Sequence, residues 1–124
     1  MAHEANLVNI TLPASGDLST KQYYIVAVNS SGQAAVCGDG AMAAGVLQNK
    51  PSAAGRSSTV AVSGITKVIA AGIIAPGAKI ASDNAGKATT ATTGEYVIGI
   101  ALNTANTAAS DVFPILLLPQ GPTA

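Results

Sequence analysis

The chain has 124 residues, about the size of one domain, and only 10% of them are charged, against about 25% in ordinary soluble domains. Six basic and six acidic residues give a formal net charge of zero, and there are three Tyr, one Phe and no Trp. These counts argue against a basic or base-stacking surface for nucleic acid, and the longest apolar stretch, residues 68–75, is too short to span a membrane.

A small, neutral surface rich in Ala, Ser, Thr and Gly follows from this composition. Such a surface loses little side-chain entropy and desolvates few charges on contact, so it favours assembly with other subunits, although an ordinary soluble domain fits nearly as well. The first residues show no secretory signal, and the single Cys37 excludes an internal disulfide. We therefore expect synthesis in a reducing cytoplasm.

Glycine and proline interrupt short β-branched runs about every ten residues, a spacing typical of an all-β fold, either a small β-barrel or a sandwich. Within the first twenty residues, only residues 7–12 have strand character, with Val8, Ile10 and Leu12 on one face, before a break at Pro13. We therefore expect an extended N-terminal arm over residues 1–20 and a β-barrel domain over residues 21–124.

The body is expected to begin with a β-hairpin formed by residues 22–28 and 33–37. Further short strands and turns follow in chain order: strands at residues 46–48, 59–62, 65–70, 79–82 and 87–90, with turns at residues 63–64 and 83–86. At most one or two short helices are expected. The best candidates are a helical turn at residues 39–44 and a helix within residues 104–110.

Two apolar strands are predicted near the end of the chain. Three large side chains of the first should line the core: Ile98, Ile100 and Leu102. Gly99 and Ala101 alternate with them on the opposite face, where their small size would allow another backbone to approach closely.

The second late strand, residues 112–118, is apolar on both faces. Pro114 cannot donate to a ladder, which favours a sheet edge or a bulge at that position. An edge strand that is apolar on both sides aggregates unless it is covered, and a neighbouring subunit would cover it. We therefore expect Gly99, Ala101 and Pro114 to lie near contacts between subunits.

Catalytic and metal-binding residues are not expected. His3 is the only imidazole and lies at the N-terminus, and six isolated carboxylates with one Cys give no ligand cluster. Cys37 is expected to be a half-buried strand thiol, since nothing nearby in sequence would lower its pKa. Two other small-barrel classes fit poorly. A carrier domain would modify a lysine such as Lys87, and a self-processing decarboxylase would need a Gly-Ser bond, which the chain lacks. No enzyme activity and no cofactor are expected.

Several elements of the body together resemble a known family. They are residues 45–47 with the loop 49–55, residues 60–68, the segment 74–80 around Pro76 and Gly77, residues 97–102 and the closing strand 112–119. Their order is similar to that in the capsid cement proteins of tailed phages, which are related in fold to the phage lambda head decoration protein. The resemblance covers residues 23–119. Residues 108–111 replace a glycine often seen before the last strand, and the first twenty residues match no part of the family.

The resemblance implies a small β-barrel of the β-tulip type that decorates the outer surface of the virion. Family members bind the expanded capsid at local symmetry axes, commonly as homotrimers, and clamp neighbouring major capsid proteins against the pressure of packaged DNA. The implied partners are the major capsid protein and other copies of this chain, with no nucleic acid and no membrane. The alternative is a tail- or fibre-associated β-structural protein of a phage.

A role for the N-terminal arm fits this implied function. Its strand-competent stretch could add a strand to an exposed sheet edge of the capsid protein, where main-chain hydrogen bonds supply affinity and alternate side chains supply register. The candidate capsid-binding residues are Leu7, Val8, Asn9, Ile10, Thr11 and Leu12. Equally open is an arm that is disordered or packs on its own barrel.

Overall fold

The computed structural model describes residues 5–122, and the side chains of residues 7–121. Residues 1–4, and with them His3 and the start of the expected arm, lie outside this range. Nine strands and no helix occur within it: β1 (Ala5–Pro13), β2 (Ile25–Val28), β3 (Ala34–Val36), β4 (Gly45–Leu47), β5 (Ser57–Ile69), β6 (Lys79–Ser82), β7 (Ala88–Thr90), β8 (Tyr96–Ala101) and β9 (Val112–Pro122).

All the strands belong to one antiparallel sheet with the order β3-β2-β4-β5-β9-β8-β6-β7, and β1 pairs with β5 beside this path. The sheet curls until its two ends meet. The backbone N–H of Ile25 in β2 donates to the carbonyl oxygen of Gly86, in the β6–β7 turn, over 2.7 Å. Gly86 has φ of +79° and no room for a side chain beside Ile25 and Val36, so only glycine fits this junction. The predicted all-β small barrel is confirmed.

Strands β2, β4 and β5 bury side chains on both faces, because consecutive residues enter different apolar clusters. Ile25, Val46 and Ala61 face the barrel interior, with Ile80, Ile115 and other residues of the main core. The residues adjacent to them in sequence face a second cluster on the other side: Val26, Leu47 and Val60. The register agrees with this alternation, since Val46 pairs with both Ile25 and Ala61.

The second cluster is covered by the N-terminal segment. Ala14 is fully buried and Leu18 is 5% exposed, and both pack with Ala34 against the sheet. Before them, β1 runs antiparallel to β5, with Leu12 opposite Ser58 and Pro13 opposite Ser57. Residues 5–18 are therefore built into the barrel domain in this structure, and the strand-competent stretch predicted at residues 7–12 is part of β1.

A turn predicted at residues 63–64 is wrong, since β5 continues through it for 13 residues. Gly64 has φ of +100°, so it bends the strand rather than reversing it. Residues before the bend pair with β1 and β4. Residues 64–69 pair with β9, and Ile65 also pairs with Ala5 of β1. The bend thus lets one strand join both parts of the sheet.

The helix predicted within residues 104–110 is also wrong. Side chains in this segment hydrogen-bond to the backbone of another loop, which competes with helix formation. The Thr107 hydroxyl donates to Gly72 O (2.7 Å) and accepts from Ile74 N (3.0 Å), and Asn103 Nδ2 donates to Ile74 O (2.9 Å). The helical turn predicted at residues 39–44 is a non-helical turn as well.

The late strands pack differently from the simple alternation. A register irregularity between Val97 and Gly99 breaks the alternation of buried and exposed residues along β8. As a result Ile98, Gly99 and Ala101 are all buried. Ile100 is partly buried, and Leu102 is 36% exposed. Of the three side chains predicted to line the core, Ile98 does so, whereas the prediction is wrong for Ile100 and Leu102.

Pro114 was predicted at an edge or a bulge, yet it lies in β9 between β5 and β8, paired with Lys67. Proline has no backbone N–H to donate to β8. This is tolerated because the residue opposite Pro114 on the β8 side is Leu102, which lies just past the end of that strand. Leu102 donates its own N–H to the carbonyl oxygen of Pro114 over 2.9 Å.

Candidate functional site

Strand β1 presents an exposed surface and a free edge. Val8 is 54% and Ile10 is 40% exposed, Asn9 and Thr11 are exposed, and Leu7 is half-buried. Leu12, the last of the six predicted binding residues, is half-buried against the second cluster. Within the described part of the chain, β1 has β5 as its only strand partner. The structure therefore brings the six residues together on one strand whose second edge is open.

The backbone groups at this open edge can be assigned from the ladder. Ala14 N donates to Arg56 O over 2.8 Å, and Ala14 O accepts from Gly55 N over 2.9 Å, so both groups of Ala14 point towards β5. Between Asn9 and Pro13 the register is regular, and backbone direction alternates along a strand. The N–H and C=O groups of Thr11 and Asn9 therefore point to the open edge.

An apolar row crosses the outer face of the sheet near β1. Ile65, Leu116 and Ile100 lie directly opposite one another on β5, β9 and β8, and all three are only partly buried. Residues paired in this way point to the same face. Leu118, two residues along β9 from Leu116, is 46% exposed. This row was missed from the sequence because it depends on the register of three strands that are distant in the chain.

The three predicted subunit-contact residues have roles inside the fold. Gly99 is buried directly beneath the carbonyl oxygen of Leu116 on the adjacent strand. Ala101 is 2% exposed and packs in the main core, and the Pro114 side chain is fully buried in the central strand β9. Contacts within the fold are therefore enough to explain why Gly, Ala and Pro occupy these three positions. A contact with a second copy near them stays a prediction.

Cys37, Asp39 and Glu95 are among the titratable groups with shifted pKa values. Burial raises the pKa of the Cys37 thiol, whose Sγ donates to Ala41 O over 3.5 Å. The carboxyls of exposed Asp39 and half-buried Glu95 share a hydrogen bond that raises the pKa of Asp39, with the charges of Glu95 and Asp83 acting in the same direction. Among the described residues, no group of three His, Cys, Asp or Glu side chains is arranged to hold a metal ion.

The fold and this surface together define an all-β protein whose exposed features suit contact with another protein. Within residues 5–122 there is no helix long and apolar enough to cross a membrane. The sequence matches the model of the phage cement protein family over residues 2–116. The chain belongs to that family, and its role is therefore that of a capsid-decorating structural protein.

A solved structure supports the fold independently. The chain is similar to the crystal structure of the N base of the head fibre protein gp8.5 of bacteriophage phi29, with a TM-score of 0.69 and 16% sequence identity. The similarity covers 90% of this chain and 94% of that one. No curated protein sequence matches the chain.

Proposed function

We propose that this protein binds the outer surface of the expanded capsid of a tailed phage and clamps neighbouring major capsid proteins against the pressure of packaged DNA. It is made in the host cytoplasm and joins the shell as a homotrimer of β-tulip barrels. Membership of the cement family carries the capsid role. The single structural observation that supports a clamp is the open edge of β1.

The open edge of β1 gives this small domain a way to bind the capsid. A segment of the major capsid protein can pair with the outward N–H and C=O groups of Asn9 and Thr11, and the exposed side chains of Val8 and Ile10 fix its register. The opposite edge of β1 is held by β5, and Ala14 and Leu18 anchor the segment in the second core. Force applied at β1 therefore passes directly into the barrel.

A proline at residue 11 tests this mechanism. Thr11→Pro removes an N–H from the open edge and leaves the ladder to β5 intact, because the Thr11 N–H does not face β5. We expect a folded protein that binds expanded shells at least tenfold more weakly. Ile10→Pro is the control for damage to the fold, since its N–H faces β5, and it should lower the unfolding temperature. Equal binding by Thr11→Pro and wild type would exclude strand addition at this edge.

The clamping claim has its own measurement. Expanded shells with and without bound protein are heated, and release of packaged DNA is followed with a dye. Decorated shells should retain DNA to a higher temperature if the protein joins neighbouring capsid subunits. Identical release temperatures at saturating decoration would contradict the clamp while leaving surface binding in place.

A head-fibre role is the second candidate, and the likeness to the phi29 head fibre base favours it. In that case the barrel would be the attachment base for a longer projecting component. Copy number separates the two functions, because a cement protein occupies equivalent sites over the whole shell. Mass analysis of purified virions, together with a search for a covalently or tightly attached fibre, distinguishes them.

A further inference from the structure

The loop between β4 and β5 forms an open recess of about 430 Å³ at the end of the sheet where β1 finishes. Its lining is polar and basic: Asn49, Lys50, Pro51, Ser52, Gly55, Arg56 and Ser57. Two of the six basic residues of the chain, Lys50 and Arg56, thus line one recess. Among the residues that the structure describes, no acidic side chain lines it.

Hydrogen bonds from outside the loop hold the recess in shape. Leu18 N donates to Pro51 O over 2.8 Å, and Ala14 bonds to Gly55 and Arg56 through its C=O and N–H. The Asn49 side chain fastens the other wall, since its Nδ2 donates to Ser57 O and its Oδ1 accepts from Thr59 N, both over 2.9 Å. The backbone that carries Lys50 and Arg56 is therefore fixed before any partner binds, which lowers the entropy cost of binding.

Basic side chains line this recess, whereas the acidic side chains that the structure describes lie elsewhere. Asp39, Asp83 and Glu95 lie close enough to one another to affect the pKa of Asp39, and none of them lines the recess. Asp17 does not line the recess either, although its neighbour Leu18 hydrogen-bonds to Pro51. The Asp17 carboxylate is exposed, and its pKa is lowered by hydrogen bonds from the Ser19 side chain and from Ser19 N, the latter over 3.0 Å. The recess thus offers two cationic groups to an acidic group from outside.

We propose that this recess receives an acidic side chain of the major capsid protein, as the charged anchor of the shell contact. The inference rests on the proposed function. The position of the recess next to β1 supports this occupant, because Ser57 lines the recess and also pairs with Pro13 at the end of β1. The recess therefore lies at the Pro13 end of β1, the strand whose open edge is proposed to bind the capsid. The Arg56 guanidinium can hold a carboxylate with two hydrogen bonds, and Lys50 adds a second positive charge.

Charge reversal tests the anchor. Arg56→Glu and Lys50→Glu are compared with Lys79→Glu, which changes the net charge equally at an exposed site on β6. Binding to expanded, undecorated shells is measured at about 50 mM and about 300 mM salt. Each recess variant should bind about tenfold more weakly at low salt, and the Lys79 variant should bind within about twofold of wild type. The wild-type affinity should fall as salt rises.

The outcomes separate the two proposals. Failure of the wild-type protein to bind any expanded shell overturns the proposed function itself. Wild-type binding that Arg56→Glu and Lys50→Glu leave unchanged overturns the anchor alone. If these variants instead lose self-association in sedimentation without shells, the occupant is a second copy and the capsid assignment is overturned. If Arg56→Glu lowers the unfolding temperature, its binding defect could come from damage to the fold. Capsid binding by Lys50→Glu and by the uncharged Arg56→Gln then decides whether the recess is the anchor.

Discussion

Gly99 of β8 lies so close to the carbonyl oxygen of Leu116 in β9 that a β-carbon on residue 99 would overlap that oxygen. Both strands are internal to the sheet, and the same stretch of β9 also pairs with β5. The close backbone approach predicted from this glycine therefore exists, but its partner is the same chain. Loss of assembly in a Gly99 variant would not by itself identify a subunit contact.

Gly99→Ala should destabilise the fold by about 3 kcal/mol, because neither backbone can move aside without breaking the ladder. Gly72→Ala is the matched control, since a β-carbon there meets no atom within 4 Å and the residue has no positive φ. Urea unfolding of the two variants measures the difference. A Gly99→Ala protein as stable as wild type would show that the two strands separate more easily than this packing implies.

Leu18→Ala should lower the free energy of unfolding by about 2–4 kcal/mol, because Leu18 is 5% exposed and completes the second core. Leu118→Ala removes the same atoms from a side chain that is 46% exposed and should cost less than about 1 kcal/mol. Chemical denaturation compares them. Equal effects would mean that the segment around Leu18 does not contribute to the stability of the barrel.

The same packing changes how the N-terminal segment should be studied. Removing residues 1–20 would delete Ala14 and Leu18 as well as β1, so weakened capsid binding could reflect damage to the barrel. Point variants on the open edge of β1, such as Thr11→Pro, separate binding from folding.

Thr107→Val should cost about 1–3 kcal/mol, because it leaves the buried N–H of Ile74 and the carbonyl of Gly72 without their hydroxyl partner. The volume of the side chain is nearly unchanged, so packing is preserved. Thr104→Val, at an exposed position in the same loop, should be close to neutral. Thermal unfolding checks both variants, and an unaffected Thr107→Val would remove the physical reason given for the absence of a helix here.

Asp39→Asn should become more stable relative to wild type as pH rises from about 3 to about 7. The raised pKa of Asp39 means that its contribution to stability is present below the unfolded pKa and is lost as pH rises through the folded pKa. Glu95 has a lowered pKa, mainly because it accepts a hydrogen bond from Thr92 N, so its contribution persists at neutral pH and is lost in acid. The variant removes the first effect and keeps the hydrogen bond from Thr92 N to Glu95.

Asp17→Asn is the control for this experiment, because its stability relative to wild type should change with pH in the opposite direction. The pKa of Asp17 is lowered, so its contribution is present at neutral pH and lost as pH falls through the folded pKa. The variant should therefore fall below wild type as pH rises. Melting temperatures at several pH values measure both differences, and parallel curves for Asp39→Asn and wild type would contradict the assigned carboxyl interaction.

Local patterns in the sequence predicted the short-range parts of the fold. The turn at residues 83–86 forms because the Asp83 carboxylate accepts from the backbone N–H groups of Ala85 and Lys87, both over 2.8 Å. The hairpin of β2 and β3 likewise follows from Asn29, whose Oδ1 accepts from Gln33 N over 2.9 Å. Each of these features depends on residues that are close in the chain.

Features that depend on distant residues could not be predicted in this way. The second core needs Ala14 and Leu18 to meet Val26 and Val60, and no period in residues 13–20 indicates burial. The break in alternation at Gly99 depends on the register with β9. For the site, the strand character of β1 was visible, whereas the row Ile65, Leu116 and Ile100 and the basic recess require the folded register of the sheet.

Binding to capsids tests the central claim most directly. Purified protein is mixed with expanded, undecorated capsids and with unexpanded ones from the phage or prophage that encodes it, and the bound fraction is measured by co-sedimentation. A capsid cement protein should bind the expanded shells saturably, with a fixed number of copies per shell, and should not bind the unexpanded shells. Absence of saturable binding to the expanded shells would contradict the account.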